Sequence, residues 1–324
     1  MKYEPIRLRG ISKSAIWGGT TLRDVWGKPD PGEGVAEAWE LTVRPSENSL
    51  IVGGDFDGRT LAEWLSEAGS RAIGRDWTGE TFPLLIKFID AREALSVQVH
   101  PDDAYASAYE QARGGTGKTE MWYIVDAAEG SALVYGLADS VTPEAFFEAA
   151  EQGKSESCLR VVPVHAGESY FIPSGQVHAI GGGILIAEIQ QNSDLTYRIY
   201  DYGRVSADGR PRELHLEQAR AVIRAIGEDE VNALRYARGG KDDPEILANS
   251  EYFKVRRFVL EDVPRNETVT EKSFVSLLCV SGNGIRRYKN QDYPITQGES
   301  YFLPAGMGDY RCEGRMTLLC SELG

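Results

Sequence analysis

Four side chains in this sequence have the types and spacing to hold a metal ion. The stretch SVQVHPDD, residues 96–103, reads as a strand that ends in a turn. Successive side chains on a strand point to opposite faces, so Ser96, Gln98 and His100 share one face while Val97 and Val99 share the other. Polar atoms turned toward an interior must find partners there. Glu120 opens the apolar run MWYIV, and His178 closes GESYFIPSGQVH, residues 167–178. Gln98, His100, Glu120 and His178 together offer two imidazoles, one carboxylate and one amide oxygen. That set suits a divalent ion of borderline softness, zinc above all. With one ligand charge, such an ion keeps its Lewis acidity and can leave a position open for a substrate oxygen. Hydrogen bonding alone is the competing explanation of each buried histidine. His165 and His215 lack such company and read as surface or hydrogen-bonded residues.

Strands must position these groups. Short apolar or alternating runs bounded by Gly, Pro and Asp recur, the pattern of a mainly β protein. Strands are expected over 84–89, 95–100, 121–126, 132–135, 169–172, 184–190 and 196–200, and in the tail over 252–260, 273–280, 301–303 and 316–320. Helical periodicity covers 60–68, 102–111, 142–152 and 214–226, with acidic or Thr-Pro-Glu starts at Asp102 and Thr142. Strands and helices do not alternate one for one, which disfavours a doubly wound parallel sheet. GESYFIPSG at 167–175 returns as GESYFLPAG at 298–306, identical at seven of nine positions. So dense a match, running from a turn Gly through a strand to a second turn, points to a duplicated all-β unit. The polar, turn-rich stretch 239–244 is the best linker, giving units of 1–240 and 241–324.

Composition limits the partners. Lys and Arg number 35 against 49 Asp and Glu, a net charge of −14. Such a surface repels nucleic acid and anionic membrane, so an anionic ligand must meet a local cluster of cations. The four cysteines are scattered without a C-x-x-C pair, as expected of reduced thiols. The start MKYEPIRLRG lacks an apolar signal core, and a cytoplasmic protein is expected. The segment ARGGTGKT, 112–119, nearly matches a phosphate-binding P-loop. A P-loop joins a buried strand to a helix. Here a helical pattern precedes and a strand follows, so a glycine-rich loop leading into the Glu120 strand is preferred.

Read together, the motifs resemble a known family. GESYFIPSGQVH resembles the second motif of the cupins. IWGG at 16–19, AEAWELT at 36–42, LSVQVHPDD at 95–103, GKTEMWYIV at 117–125 and TYRIYDYGR at 196–204 resemble, in that order, type I phosphomannose isomerases of the short bacterial form. The resemblance implies two cupin-like jelly-roll β-barrels, the first elaborated with helices. It implies zinc on Gln98, His100, Glu120 and His178. It also implies interconversion of mannose 6-phosphate and fructose 6-phosphate through a cis-enediol. Glu37, Lys118, Glu188, Arg198 and His178 stand at matching positions as candidates to carry the proton or its charge. Lys87 and Ser96 match positions near the substrate, against the alternative that Lys87 extends its ammonium into solvent. A different sugar-phosphate isomerase, an iron oxygenase and a non-catalytic sugar-binding cupin are the competing functions. Gln98 in place of a third histidine counts against the oxygenase. One zinc per chain is expected, because the repeat carries His178 onto Asp309 and no histidine follows His215.

Overall fold

The computed structural model describes residues 3–32, 34–205, 209–226 and 245–324. The chain is mainly β, and every ladder is antiparallel. A six-stranded sheet runs Ser169–Ile172, Glu120–Ala127, Ile184–Gln191, Leu84–Ala91, Glu37–Leu41, Ile11–Lys13. A five-stranded sheet runs Leu159–Pro163, Ala132–Leu137, His178–Ile180, Val97–Val99, Tyr197–Tyr200. The C-terminal strands Phe253–Glu261, Gly308–Leu323, Val275–Tyr288 and Ser300–Leu303 form most of a nine-stranded sheet. Each sheet is open, and no ladder among the described residues closes on itself. Nor is any helix among them long and apolar enough to cross a membrane.

The sequence LLIKFIDA of Leu84–Ala91 and ILIAEIQQ of Ile184–Gln191 is buried at every position. Nearly continuous apolar runs of this kind are what a strand covered on both faces requires. One face of the six-stranded sheet, with Leu84, Ile86, Phe88, Met121 and Ile189, packs on Phe253, Phe274, Phe302 and Leu319 of the C-terminal part. The other face, with Ile89, Trp122, Ile124 and Ile186, meets Leu133, Tyr135 and Ile180 of the five-stranded sheet. The outer face of that second sheet, with Val97, Val99 and Tyr197, is covered by Phe146 and Phe147 of the helix Pro143–Glu151 and by Ala219 of Leu216–Val222. Val97 and Val99 therefore face helices while Gln98 and His100 face the other sheet, as alternation requires; Leu95 packs between the sheets, so the alternation does not extend back through Ser96.

The duplicated motif forms duplicated structure. Ser169–Ile172 and Ser300–Leu303 are both strands. The glycines flanking them, Gly167 and Gly175, Gly298 and Gly306, all have φ between 77° and 91°, a region open mainly to glycine. In each copy the Glu carboxylate accepts the backbone N–H three residues earlier, Glu168 from His165 at 2.9 Å and Glu299 from Thr296 at 3.0 Å. The expected linker and the boundary at 240/241 lie outside the described residues. Two strands from early in the chain, Ile6–Arg9 and Leu50–Val52, complete the edge of the C-terminal sheet through Ser300–Leu303.

Phe302 is central to the junction: its ring stacks on Phe274 at 5.2 Å and meets Trp64 at 6.0 Å and Phe82 at 6.2 Å. Phe302→Ala is expected to lower stability by about 3–5 kcal/mol. Urea unfolding should remain one transition, because a single core joins both parts. A loss below about 1 kcal/mol would show that the sheets are held together elsewhere.

Candidate metal centre

His100 follows the strand Val97–Val99, His178 opens His178–Ile180, and Glu120 opens Glu120–Ala127 on the facing sheet. The space between the sheets brings them together: all three are buried, with their ligand atoms within 4.8 Å of one another. His100 Nε2 lies 2.6 Å from Glu120 Oε1 and 3.1 Å from His178 Nε2, and His178 Nε2 lies 4.0 Å from Glu120 Oε1. The tautomers follow from the other ring nitrogens. Nδ1 of His100 contacts the Leu195 carbonyl at 2.7 Å, and Nδ1 of His178 the Gln176 carbonyl at 2.8 Å. A carbonyl only accepts, so each Nδ1 donates and each Nε2 turns a bare lone pair inward. Burial first, and then the Lys118 ammonium, pushes His100 down to about 3. His178 is also lowered, chiefly by burial. Both rings are neutral near pH 7. Two imidazole lone pairs and a carboxylate oxygen thus converge beside the Lys118 ammonium, a donor set that a bound metal cation would suit. Ligands at about 2.1 Å around a tetrahedral ion stand roughly 3.4 Å apart, within the observed 2.6–4.0 Å range.

Gln98 stands directly across the ladder from His178, and Arg198 directly across from Gln98. Partners in an antiparallel ladder project to the same side, so the row His178, Gln98, Arg198 faces the six-stranded sheet. Arg198 Nη1 donates to the Glu213 carbonyl at 2.8 Å, while its Nε is buried without an acceptor. Its backbone N–H donates to His215 Nδ1 at 3.2 Å, so His215 is hydrogen-bonded, and His165 lies on the surface beside Glu168. Ser96 is buried.

Lys118 enters from the glycine-rich loop. Its Nζ lies 2.7 Å from Glu120 Oε1, 3.2 Å from His100 Nε2 and 3.9 Å from Glu188 Oε1. The loop runs from the helix Asp103–Tyr109 into the strand Glu120–Ala127, the reverse of a P-loop's order. Lys87 does not reach solvent: it is buried, with Nζ 3.1 Å from Glu188 Oε1 and 3.3 Å from Glu37 Oε2. Burial opposes its charge, but the Glu188 and Glu37 carboxylates outweigh that and raise its pKa. The same two carboxyls diverge. Burial and the Glu120 charge raise Glu188. For Glu37, burial is overcome by Lys87 and by the Trp39 indole, which donates at 2.8 Å, and its pKa falls.

Trp122 is the residue that the sequence reading missed. Its Nε1–H is shared between Glu120 Oε2 at 2.7 Å and Glu188 Oε2 at 2.9 Å, and its ring meets His178 edge-on at 5.4 Å. The signal was its place two residues after Glu120, hence on the same face.

Comparison with known proteins assigns this arrangement. Residues 245–323 match the model of the mannose-6-phosphate isomerase cupin domain, and residues 6–127 that of the phosphomannose isomerase type I catalytic domain. The mannose 6-phosphate isomerase crystal structure from Bacillus subtilis superposes with a TM-score of 0.88 at 34% identity, over 98% of this chain and 99% of that one. The fold is therefore of the cupin type. Among curated relatives, the mannose-6-phosphate isomerase ManA of Bacillus subtilis is 36% identical over 323 residues, covering 100% of both chains. That of Streptococcus mutans is 33% identical over 319 residues, covering 98% of both. The chain belongs to the type I phosphomannose isomerase family, a family of enzymes.

Trp122→Phe keeps the ring and removes the shared N–H. Divalent metal affinity, measured by calorimetric titration, is expected to fall about 10- to 100-fold. Unchanged affinity would show that the indole only fills space.

Proposed function

We propose that this chain interconverts mannose 6-phosphate and fructose 6-phosphate through a cis-enediol, with one zinc ion held by Gln98, His100, Glu120 and His178. The observation that carries the reading is the convergence of two imidazole lone pairs and a carboxylate oxygen in a buried space, in a chain of this family. When bound, zinc would polarise the sugar carbonyl and stabilise negative charge developing on it.

The chain's own residues carry the rest. A proton must leave one of two adjacent sugar carbons and return to the other, which calls for a group titrating closer to neutrality than an ordinary carboxylate. Glu188, raised by burial and by Glu120, suits that task better than Glu37, whose pKa is lowered. The Lys118 amine stands against Glu120 and Glu188, where enediolate charge would develop. Lys87, fixed between Glu37 and Glu188, balances those two carboxylates, and Lys87 and Ser96 are assigned to the substrate side. Arg198 is assigned to the anionic end of the sugar, since a guanidinium offers parallel donors to phosphate.

We read the paired sheets as two cupin-like jelly-roll units, the catalytic one reaching to residue 240 and the second beginning at 241. The second is read as metal-free. Ile172 stands opposite Glu120, but its counterpart Leu303 stands opposite Val275. Asp309, the counterpart of His178, is occupied by a 2.6 Å hydrogen bond from Thr268 Oγ1 at the surface.

Zinc-reconstituted protein should turn over mannose 6-phosphate, lose activity to a chelator and recover it with zinc. Elemental analysis should give about one zinc per chain, and near zero for His100→Ala/His178→Ala. Two per chain, or metal surviving that substitution, would sink the site assignment. Arg198→Ala should lower kcat/KM about tenfold to a hundredfold with zinc content unchanged. Wild-type kinetics in this variant would reduce Arg198 to a packing residue.

A further inference from the structure

Arg286, on the strand Val275–Tyr288, is fully buried in the C-terminal unit. It stands across the ladders from Tyr293 on one side and Cys312 on the other. None of its nitrogens, Nε, Nη1 or Nη2, has a well-aligned hydrogen-bond acceptor, and the Tyr301 hydroxyl is the one side-chain oxygen that approaches them closely enough to interact. The ionisable groups that act most strongly on its charge are Tyr301, Cys312, Tyr310 and Tyr293, none of them a carboxylate, while Glu267 and Glu4 stand further out, acting on those neighbours. The guanidinium lies 3.9 Å from the centre of the Tyr301 ring and 5.2 Å from that of Tyr293. Attraction to the ring faces recovers part of the cost of burial but leaves most of the five N–H donors unmet.

A guanidinium does not shed its proton inside a protein, and a buried ion without a counter-charge is strongly unfavourable. The neighbours supply no counter-charge near neutral pH. Burial pushes the Cys312 thiol up to about 11 and raises Tyr301 and Tyr310 as well, so all three keep their protons.

We propose that the interior of the C-terminal unit binds one compact monovalent anion, a halide or a formate-sized carboxylate, on the guanidinium of Arg286. Charge balance selects the valence. One buried cation and one monovalent anion leave the site neutral, whereas a phosphate dianion would leave a negative charge in an apolar core. Complete burial among aromatic rings selects the size, and ring edges carry the positive partial charge that an anion prefers. Tyr293 and Tyr301, whose rings meet the guanidinium, also line a surface cleft of about 590 Å³ beside Arg7, Phe56 and Trp64, although Arg286 itself does not reach it.

The test is thermal unfolding of the full chain at constant ionic strength, replacing a bulky sulfonate anion stepwise by bromide, chloride or formate. The wild-type midpoint should rise saturably by about 2–4 °C, and Arg286→Met should not respond. Comparing the halide and formate series identifies which anion the site prefers. Diffraction from bromide-soaked wild-type crystals should give an anomalous peak within hydrogen-bonding distance of Arg286, and this arm stands even if the variant does not fold. A flat wild-type response, a parallel rise in Arg286→Met, or no peak beside the guanidinium at saturating bromide overturns the proposal.

Discussion

Three lone pairs meeting in a buried space are the constraint around which the N-terminal part is organised. Nε2 of His100, Nε2 of His178 and Oε1 of Glu120 would repel one another without positive charge among them. Each is held against that repulsion from behind: the histidines by the Leu195 and Gln176 carbonyls, the glutamate by the Trp122 indole. The ammonium of Lys118 meets the same oxygen and one of the same nitrogens. The ammonium supplies part of the positive charge these groups call for, and the zinc proposed here would supply the rest.

A site of this kind needs rigid walls, and burial of the six-stranded sheet on both faces supplies them. Its inner face carries Glu120, Trp122, Glu188, Lys87 and Glu37. Its outer face is locked by the aromatic cluster of Phe82, Phe274 and Phe302. The C-terminal unit thus backs the site although it contributes none of the site's residues. Its strand register explains why: where the first repeat presents Glu120, the second presents Val275, an ordinary core residue.

Much of this was legible in the sequence because the relevant signals are local. Alternation along residues 97–100 separates the helix-facing valines from the inward Gln98 and His100, and the repeated nonapeptide announces the second unit. Other features depend on pairing between distant segments. Nothing in LLIKFID reveals that Lys87 lies between Glu188 and Glu37, since those strands are brought beside it only by the ladder. Ile6–Arg9 joins the C-terminal sheet nearly three hundred residues away in sequence, which no periodicity encodes. The last strand extends over Gly308–Leu323, beyond the expected 316–320, because its first half is polar on alternate positions and resembles a loop. Arg286 sits beside Arg287 in the sequence, and only the pleat decides that the first is buried and the second faces solvent with Asp292.

The most direct measurement is diffraction at the zinc absorption edge from crystals of the zinc-loaded protein. One anomalous peak per chain is expected, about 2.0–2.2 Å from Nε2 of His100, Nε2 of His178 and a carboxylate oxygen of Glu120. A peak away from those nitrogens, or a second peak of equal height in the C-terminal unit, would contradict the assignment of this cluster as the cation site.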